Sequence, residues 1–397
     1  PFHSWIPDAA TDAPLPFMAF FPAAMEKLLG IYFLTRISLD MFRLTTGSWI
    51  SVLLMSIGAI TIILAVMMAL IQKDFKKLLS YHAISQVGYM ILGIGTAVPA
   101  GIIGGLFHMI NNALYKCGLF LTGGAVEKQT GTTDLHKLGG LAAKMPLTFI
   151  CFMITALSIS GVPPFNGFFS KELVYEGALE RGWIFYLAAV GGSFLTAASF
   201  LKLGHSAFLG KLNKEHAAIK EVSLFMVIPM VVIAAICVLF GVYNYLPLKV
   251  FIQPILGDRL HGHNFYGMPP SVTLIAITVL VLLAALANHI FGYKSKKSAL
   301  KAADHIHYAP VLSGIYAKAE KKYFDPYNIG MKFARWFAVT GFALDRGIDW
   351  LYDHFTVRGV TGLANQVKKL HTGNYSVYLL WSLLGMFLVV MFLVTSL

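Results

Sequence analysis

Charge is the scarcest property of this 397-residue sequence: only 13% of its residues are Asp, Glu, Lys or Arg, about half the usual share of roughly 25%. A soluble protein with so few charges could not cover its surface, which excludes a water-soluble globule. Disorder is excluded as well, because its signature is low hydrophobicity with high charge. Cysteine is nearly absent. Cys117, Cys151 and Cys237 stand singly in apolar segments without CxxC or zinc spacing, so neither a disulfide frame nor a cluster site is indicated. The sequence starts at Pro1 with no initiator Met and no signal peptide, and the expectation is that it begins mid-protein. Apolar residues are what it has: 57% of the chain, with a mean hydropathy of +0.69. Long apolar runs speak against a transmembrane barrel, whose strands alternate apolar and polar residues. The remaining class is an all-α polytopic membrane protein. Its net charge of +12 reads as basic loops that fix orientation, with no nucleic-acid partner.

Crossing the hydrocarbon takes roughly 20 apolar residues. Such segments lie at 14–36, 47–71, 78–98, 99–125, 146–178, 183–203, 221–246, 271–292 and 375–396, and residues 1–13 read as the tail of another helix. The connections alternate in charge. Lys73, Lys76, Lys77, Lys128, Lys137, Lys144, Lys202, Lys211, Lys214, Lys220, Lys294, Lys296, Lys297 and Lys301 fall on every second loop, against Arg36, Arg43, Arg181, Lys249 and Arg259 on the others. The lysine-rich loops are therefore expected on the cytoplasmic side or its equivalent. Residues 1–293 read as the bundle, 294–324 as a linker on the lysine-rich side, 325–372 as an amphipathic helix and 373–397 as a final transmembrane anchor. Asp325-Pro326 predicts an N-cap followed by Pro at N1. From there Ile329, Phe333, Trp336, Phe337, Leu344, Ile348, Leu351 and Phe355 recur at helical spacing, opposite Lys332, Arg335, Arg346 and Asp349. Continuous to His371, this helix would be roughly 65–70 Å long. Glycines 330, 341, 347, 359 and 362 leave open a pair of short surface helices instead.

An ionisable group at mid-membrane costs about 2.5–3.5 kcal/mol, so each one is a functional candidate. Glu26 and Lys27 sit near the centre of 14–36; they are candidates for charge coupling or for a static ion pair. On 99–125, His108, Asn112 and Lys116 are spaced by four and form one polar stripe, with Asn111 beside it. Interhelical polar glue would explain the asparagines, but not a lysine too deep to snorkel. In 146–178, Gly161-Val162-Pro163-Pro164 predicts a helix break at mid-span, with Lys171 and Glu172 just after it. Broken backbone at membrane depth is tolerated only where protein buries it or water lines it, and such breaks mark ion sites. Lys76 lies just before 78–98 and doubles as an orientation charge; His82, six residues on, could relay protons inward, although a lone histidine of this kind is more often a core residue. The pairs His261/His263 and His305/His307 read as solvated loop residues. The chain carries no nucleotide loop and no motif for flavin, iron–sulfur or quinone, so no cofactor is expected in it.

Together these motifs resemble the antiporter-like subunits of complex I, energy-converting hydrogenases and Mrp antiporters. The resemblance rests on residues 1–9 (PFHSWIPDA), the run Gln72 to Tyr89, the stripe Phe107 to Phe120 and Gly167-Phe168-Phe169-Ser170-Lys171. Lys322-Tyr323-Phe324-Asp325, the amphipathic stretch and His371-Thr372-Gly373-Asn374 are similar to the lateral-helix extension of the L-type subunit. The resemblance implies about six further helices upstream and a redox-driven proton pump, whose non-redox membrane subunit this chain would be. Lys76, His108 and Lys116 match the family's central hydrophilic axis, and Lys171 its terminal lysine. Pro22 and Asn112 stand where complex I often has histidine, and Glu26-Lys27 where it has an apolar pair, a pattern similar to Ech-type hydrogenase subunits. It further implies other membrane-arm subunits and a peripheral redox arm as partners, holding iron–sulfur clusters with flavin or a nickel–iron centre. The location implied is a prokaryotic plasma membrane or organellar inner membrane, with protons as the moved ion. A sodium-coupled Mrp-type antiporter subunit, a structural membrane scaffold and a transporter of organic substrates are the alternatives.

Overall fold

The computed structural model describes residues 3–257, 264–321, 323 and 326–396. Pro1 and Phe2 of the opening motif, Arg259, the pair His261/His263, and Lys322, Phe324 and Asp325 at the expected N-cap lie outside the described residues. The described residues form helices and no strand. The chain divides into two units, Pro1–Asp325 and Pro326–Leu397.

In the first unit, a short helix α1 (Trp5–Asp12) leads into α2 (Leu15–Met41), α3 (Trp49–Ile71), α4 (Phe75–Gly95) and α5 (Pro99–Thr130). There follow α6 (Pro146–Ser160), α7 (Asn166–Arg181), α8 (Trp183–Ala207), α9 (Leu224–Val242) and α10 (Val272–Lys296). Every segment expected to be helical is so. Among the described residues, six helices are long and apolar enough to cross a membrane by length and composition: α2, α3, α8, α9, α10 and Tyr375–Ser396. Helices α4 and α5 miss that threshold because they carry buried His, Asn, Gln and Lys, and α6 and α7 because the break shortens each. Low hydropathy here marks the inside of the bundle. Helix α5 is central and packs against α2, α4, α6, α7 and α9.

The break falls where proline and glycine chemistry puts it. Helix α6 stops at Ser160 because Gly161 turns left-handed, at φ +82°, and α7 restarts at Asn166. A Cβ at Gly161 would also come within 3.0 Å of Lys171 Cδ. The glycine thus ends one half-helix and makes room for the lysine of the next. Where α5 crosses α7, a Cβ on Gly104 would meet Val174 N at 2.7 Å, so the two backbones approach as only small residues allow.

Two residues assigned to lysine-rich loops are buried. Lys76 is 7% exposed, and Lys202 is 2% exposed because α8 continues to Ala207. The charge asymmetry of the remaining loops survives their removal. The expected linker is partly helical, in one turn at Asp304–His307 and in α11 (Pro310–Glu320). His305 and His307 are therefore not loop residues. His305 Nε2 lies 2.7 Å from Asn288 Oδ1, and the His307 ring packs on Tyr308 and Tyr316.

In the second unit, α12 (Pro326–Trp350), a π-helical stretch (Leu351–Thr356) and α13 (Val357–Leu370) follow without interruption. The five glycines do not break this run, because helical glycine costs only about 1 kcal/mol each. The extra residue per turn is taken up in the π stretch. Arg346 pairs with Asp349 at 2.6 Å on the polar side. Helix α14 (Tyr375–Ser396) is apolar throughout, as a span requires.

Candidate functional site

The start of α4 is fixed by Asp74, whose carboxylate accepts from Lys77 N at 3.0 Å and from Thr133 Oγ1 at 2.5 Å. Two residues on, Lys76 reaches Glu127 near the end of α5, with Nζ 2.7 Å from Oε1. Lys76 is therefore an ion-paired group at the rim. Neither His82 nor Lys116 is bonded to it.

Two turns deeper lies the first buried node. His82 Nε2 is 2.8 Å from Ser199 Oγ on α8, and the ring packs against Phe200. Lys116 donates to the Leu79 carbonyl at 2.7 Å and sits between the Phe120 and Phe200 rings, 5.9 and 5.8 Å from their centroids. Phe200 thus lies beside both the histidine and the lysine. Neither residue has any exposed surface.

The second node is a branched hydrogen-bond network. His108 Nδ1 is 3.0 Å from Ser170 Oγ, and its Nε2 is 3.0 Å from Gln86 Oε1 and 3.2 Å from Tyr115 Oη. The residue after Ser170 is Lys171, which donates to Ser193 Oγ at 2.9 Å. Ser193 Oγ also meets Tyr175 Oη at 2.5 Å and Tyr89 Oη at 3.1 Å, and Lys171 Nζ lies 5.0 Å from the centre of the Tyr89 ring. Lys171, on the second half of the broken helix, thus meets His108 of α5 through the adjacent residue Ser170.

Among the described residues, several buried polar atoms on α4 and α5 have no partner: His82 Nδ1, Gln86 Nε2, and both Asn112 Oδ1 and Nδ2. They fall in register. His82 and Gln86 are one turn apart on α4, and Asn112 is one turn from both His108 and Lys116 on α5. A buried unpaired polar atom is costly, and a polar gap supplying several such atoms is a place where water is held.

The other candidates sit outside this line. Lys27 is buried, donates to the Pro22 carbonyl and comes within 3.9 Å of Glu26 Oε2. Adjacent residues on a regular helix point about 100° apart; here a π-helical stretch, Phe21–Met25, immediately precedes them. Glu172 turns toward α10, where its Oε1 accepts from Thr278 Oγ1 at 2.5 Å.

Three groups escaped the reading of the sequence. Glu127 is the partner of Lys76. Lys202 donates to the Leu70 and Gln72 carbonyls at 2.5 and 2.8 Å, capping the end of α3. His205 Nδ1 faces His289 Nε2 at 3.0 Å across α8 and α10. A signal for Lys202 was present: Ser193, Thr196, Ser199 and Lys202 recur every three residues on α8, and all are buried. Lys202→Met should lower stability by about 1.5–3 kcal/mol, the worth of charged hydrogen bonds to otherwise unpaired carbonyls. Lys202→Arg should keep most of it. Thermal unfolding in detergent measures both.

An all-helical bundle with a broken central helix and buried lysines defines an integral, multi-pass membrane protein of antiporter-like type. Residues 1–196 match the family described as "NADH:quinone oxidoreductase/Mrp antiporter, TM". The chain is similar to the Na(+)/H(+) antiporter subunit A1 of Staphylococcus aureus (strain MRSA252), at 32% identity over 326 residues. The match is equally good to the same subunit of Staphylococcus haemolyticus (strain JCSC1435), at 32%. Each match covers 74% of this chain and 40% of the relative, so the chain spans well under half of these proteins. In fold it resembles a chain of the Mrp complex from Dietzia sp. DQ12-45-1b, with TM-score 0.60 and 24% identity over 70% of this chain and 57% of that one. It also resembles a chain of the membrane-bound sulfane sulfur reductase, an archaeal respiratory membrane complex. There the TM-score is 0.59 and the identity 24%, over 98% of this chain and 65% of that one. The chain belongs to the NADH:quinone oxidoreductase/Mrp antiporter family, as an antiporter-like membrane subunit.

Proposed function

We propose that the chain is a proton-translocating membrane subunit of a redox-driven pump related to complex I. The observation that carries this reading is the buried network joining Gln86, Tyr115, His108 and Ser170, with Lys171, Ser193 and two tyrosines directly beside it. Protons move between Lys116 and His108 through water held at Asn112, and on to Lys171. His108 suits the relay because one ring nitrogen donates while the other accepts, so a proton taken on one side is released on the other. Charging one lysine repels charge on the next, which couples their proton states. The driving redox chemistry belongs to partner subunits: other membrane-arm chains and a peripheral arm with iron–sulfur clusters and flavin or a nickel–iron centre. The likeness over 98% of the chain to a respiratory membrane complex supports this assignment.

A second reading, a subunit of a sodium/proton antiporter, is favoured by the 32% identity to Na(+)/H(+) antiporter subunit A1. The parent complex in proteoliposomes separates the two. Proton movement driven by a reductant and indifferent to sodium supports the pump. Proton movement that requires a sodium gradient and no reductant overturns it in favour of antiport.

A further inference from the structure

Helix α7 carries a second titratable row that the lysine–histidine network does not use. Glu172, Glu176 and Glu180 are spaced by four and share one face. Their exposure rises in order: Glu172 is 1% exposed, Glu176 is half-buried and Glu180 is exposed at the end nearest Arg181. Each is close enough to the next to feel its charge. Among the described residues no ion pair reaches any of the three. Arg181, the nearest basic residue in sequence, instead donates to the Thr46 carbonyl and lies 3.5 Å from Ser51 Oγ.

Helix stability does not explain this row. Carboxylates near a helix C-terminus face the negative end of its dipole, and like charges one turn apart repel. The inner end of the row is also unsatisfied. Glu172 Oε1 accepts from Thr278, but among the described residues its Oε2 has no partner, and the buried Tyr186 Oη beside it has none either. Tyr175 links the two systems: its hydroxyl bonds the Ser193 that holds Lys171, and it lies within electrostatic reach of Glu172.

We propose that Glu172, Glu176 and Glu180 form the release lane by which protons delivered to Lys171 leave on the side of the Arg181 loop. The proposal rests on the proton-pathway reading above and deepens it. Lys171 hands its proton through the Ser193–Tyr175 hydroxyls to Glu172. Glu172 passes it one turn at a time to Glu176 and Glu180, where bulk water takes it. The row is one-sided, since Lys116 and Lys76 have no such series next to them.

The test is proton transport by the parent complex in proteoliposomes. Glu176→Gln keeps the size and polarity of a half-buried side chain, so the complex should assemble. Transport should fall about 100-fold or more, the low end of what a positioned proton-transfer group contributes. Glu176→Asp should restore most of it, and a purely structural role would not give that rescue. Glu172→Gln should lose more, since it removes the carboxylate at the inner end of the row. Normal transport in Glu176→Gln beside an inactive Lys171→Ala overturns the lane and leaves the lysine pathway standing. Normal transport in both variants overturns the pathway itself.

Discussion

Lys171→Ala is expected to abolish proton translocation, by roughly 100-fold or more, while the complex still assembles. Lys171 is 1% exposed and lies against Gly161, just past the break between α6 and α7. Its ammonium donates to Ser193, and its neighbour Ser170 meets His108. It is therefore the group that joins the histidine network to the tyrosine–serine cluster. Alanine removes one charged hydrogen bond, worth about 1.5–3 kcal/mol. It also removes a buried cation, whose desolvation costs several kcal/mol. The two changes oppose each other, so folding should be nearly unaffected while proton transfer stops. Assembly is checked by the yield and migration of the purified complex, and transport by acidification of vesicles.

Lys116→Met should separate stability from function in the same direction. Lys116 has no exposed surface, and its ammonium donates to the Leu79 carbonyl at 2.7 Å, with phenyl rings on two sides. Methionine fills nearly the same space with no charge to desolvate, and such replacements are often neutral or stabilising by about 1–4 kcal/mol. The melting temperature should stay level or rise, and transport should fall at least about 100-fold. A scaffold role predicts the reverse pairing: transport intact, and stability changed by the loss of the Leu79 bond.

How much was legible follows from which forces are local. The break at Gly161 to Pro164 was readable because left-handed glycine and proline act on their own backbone. The stripe of His108, Asn112 and Lys116 was readable because a helix sets its own register. Partners across helices were not. Nothing local ties Lys76 to Glu127, fifty-one positions away, so Lys76 read as part of a buried axis or a loop charge. Lys202 was masked differently: an apolar segment with small hydroxyls reads as ending at its first lysine, yet α8 runs on and turns that lysine onto the end of α3. The amphipathic run past Pro326 was clear from its apolar period, but its continuity was not. Five glycines argue for breaks, whereas the structure absorbs the irregularity in one π stretch.

The most direct test of the central claim is proton transport by the parent complex carrying Lys171→Arg. Arginine keeps the positive charge and the donor to Ser193 but does not release its proton. The account predicts an assembled complex that moves essentially no protons, because Lys171 acts by giving its proton up. Transport at the wild-type rate would contradict it and would make Lys171 a fixed structural charge.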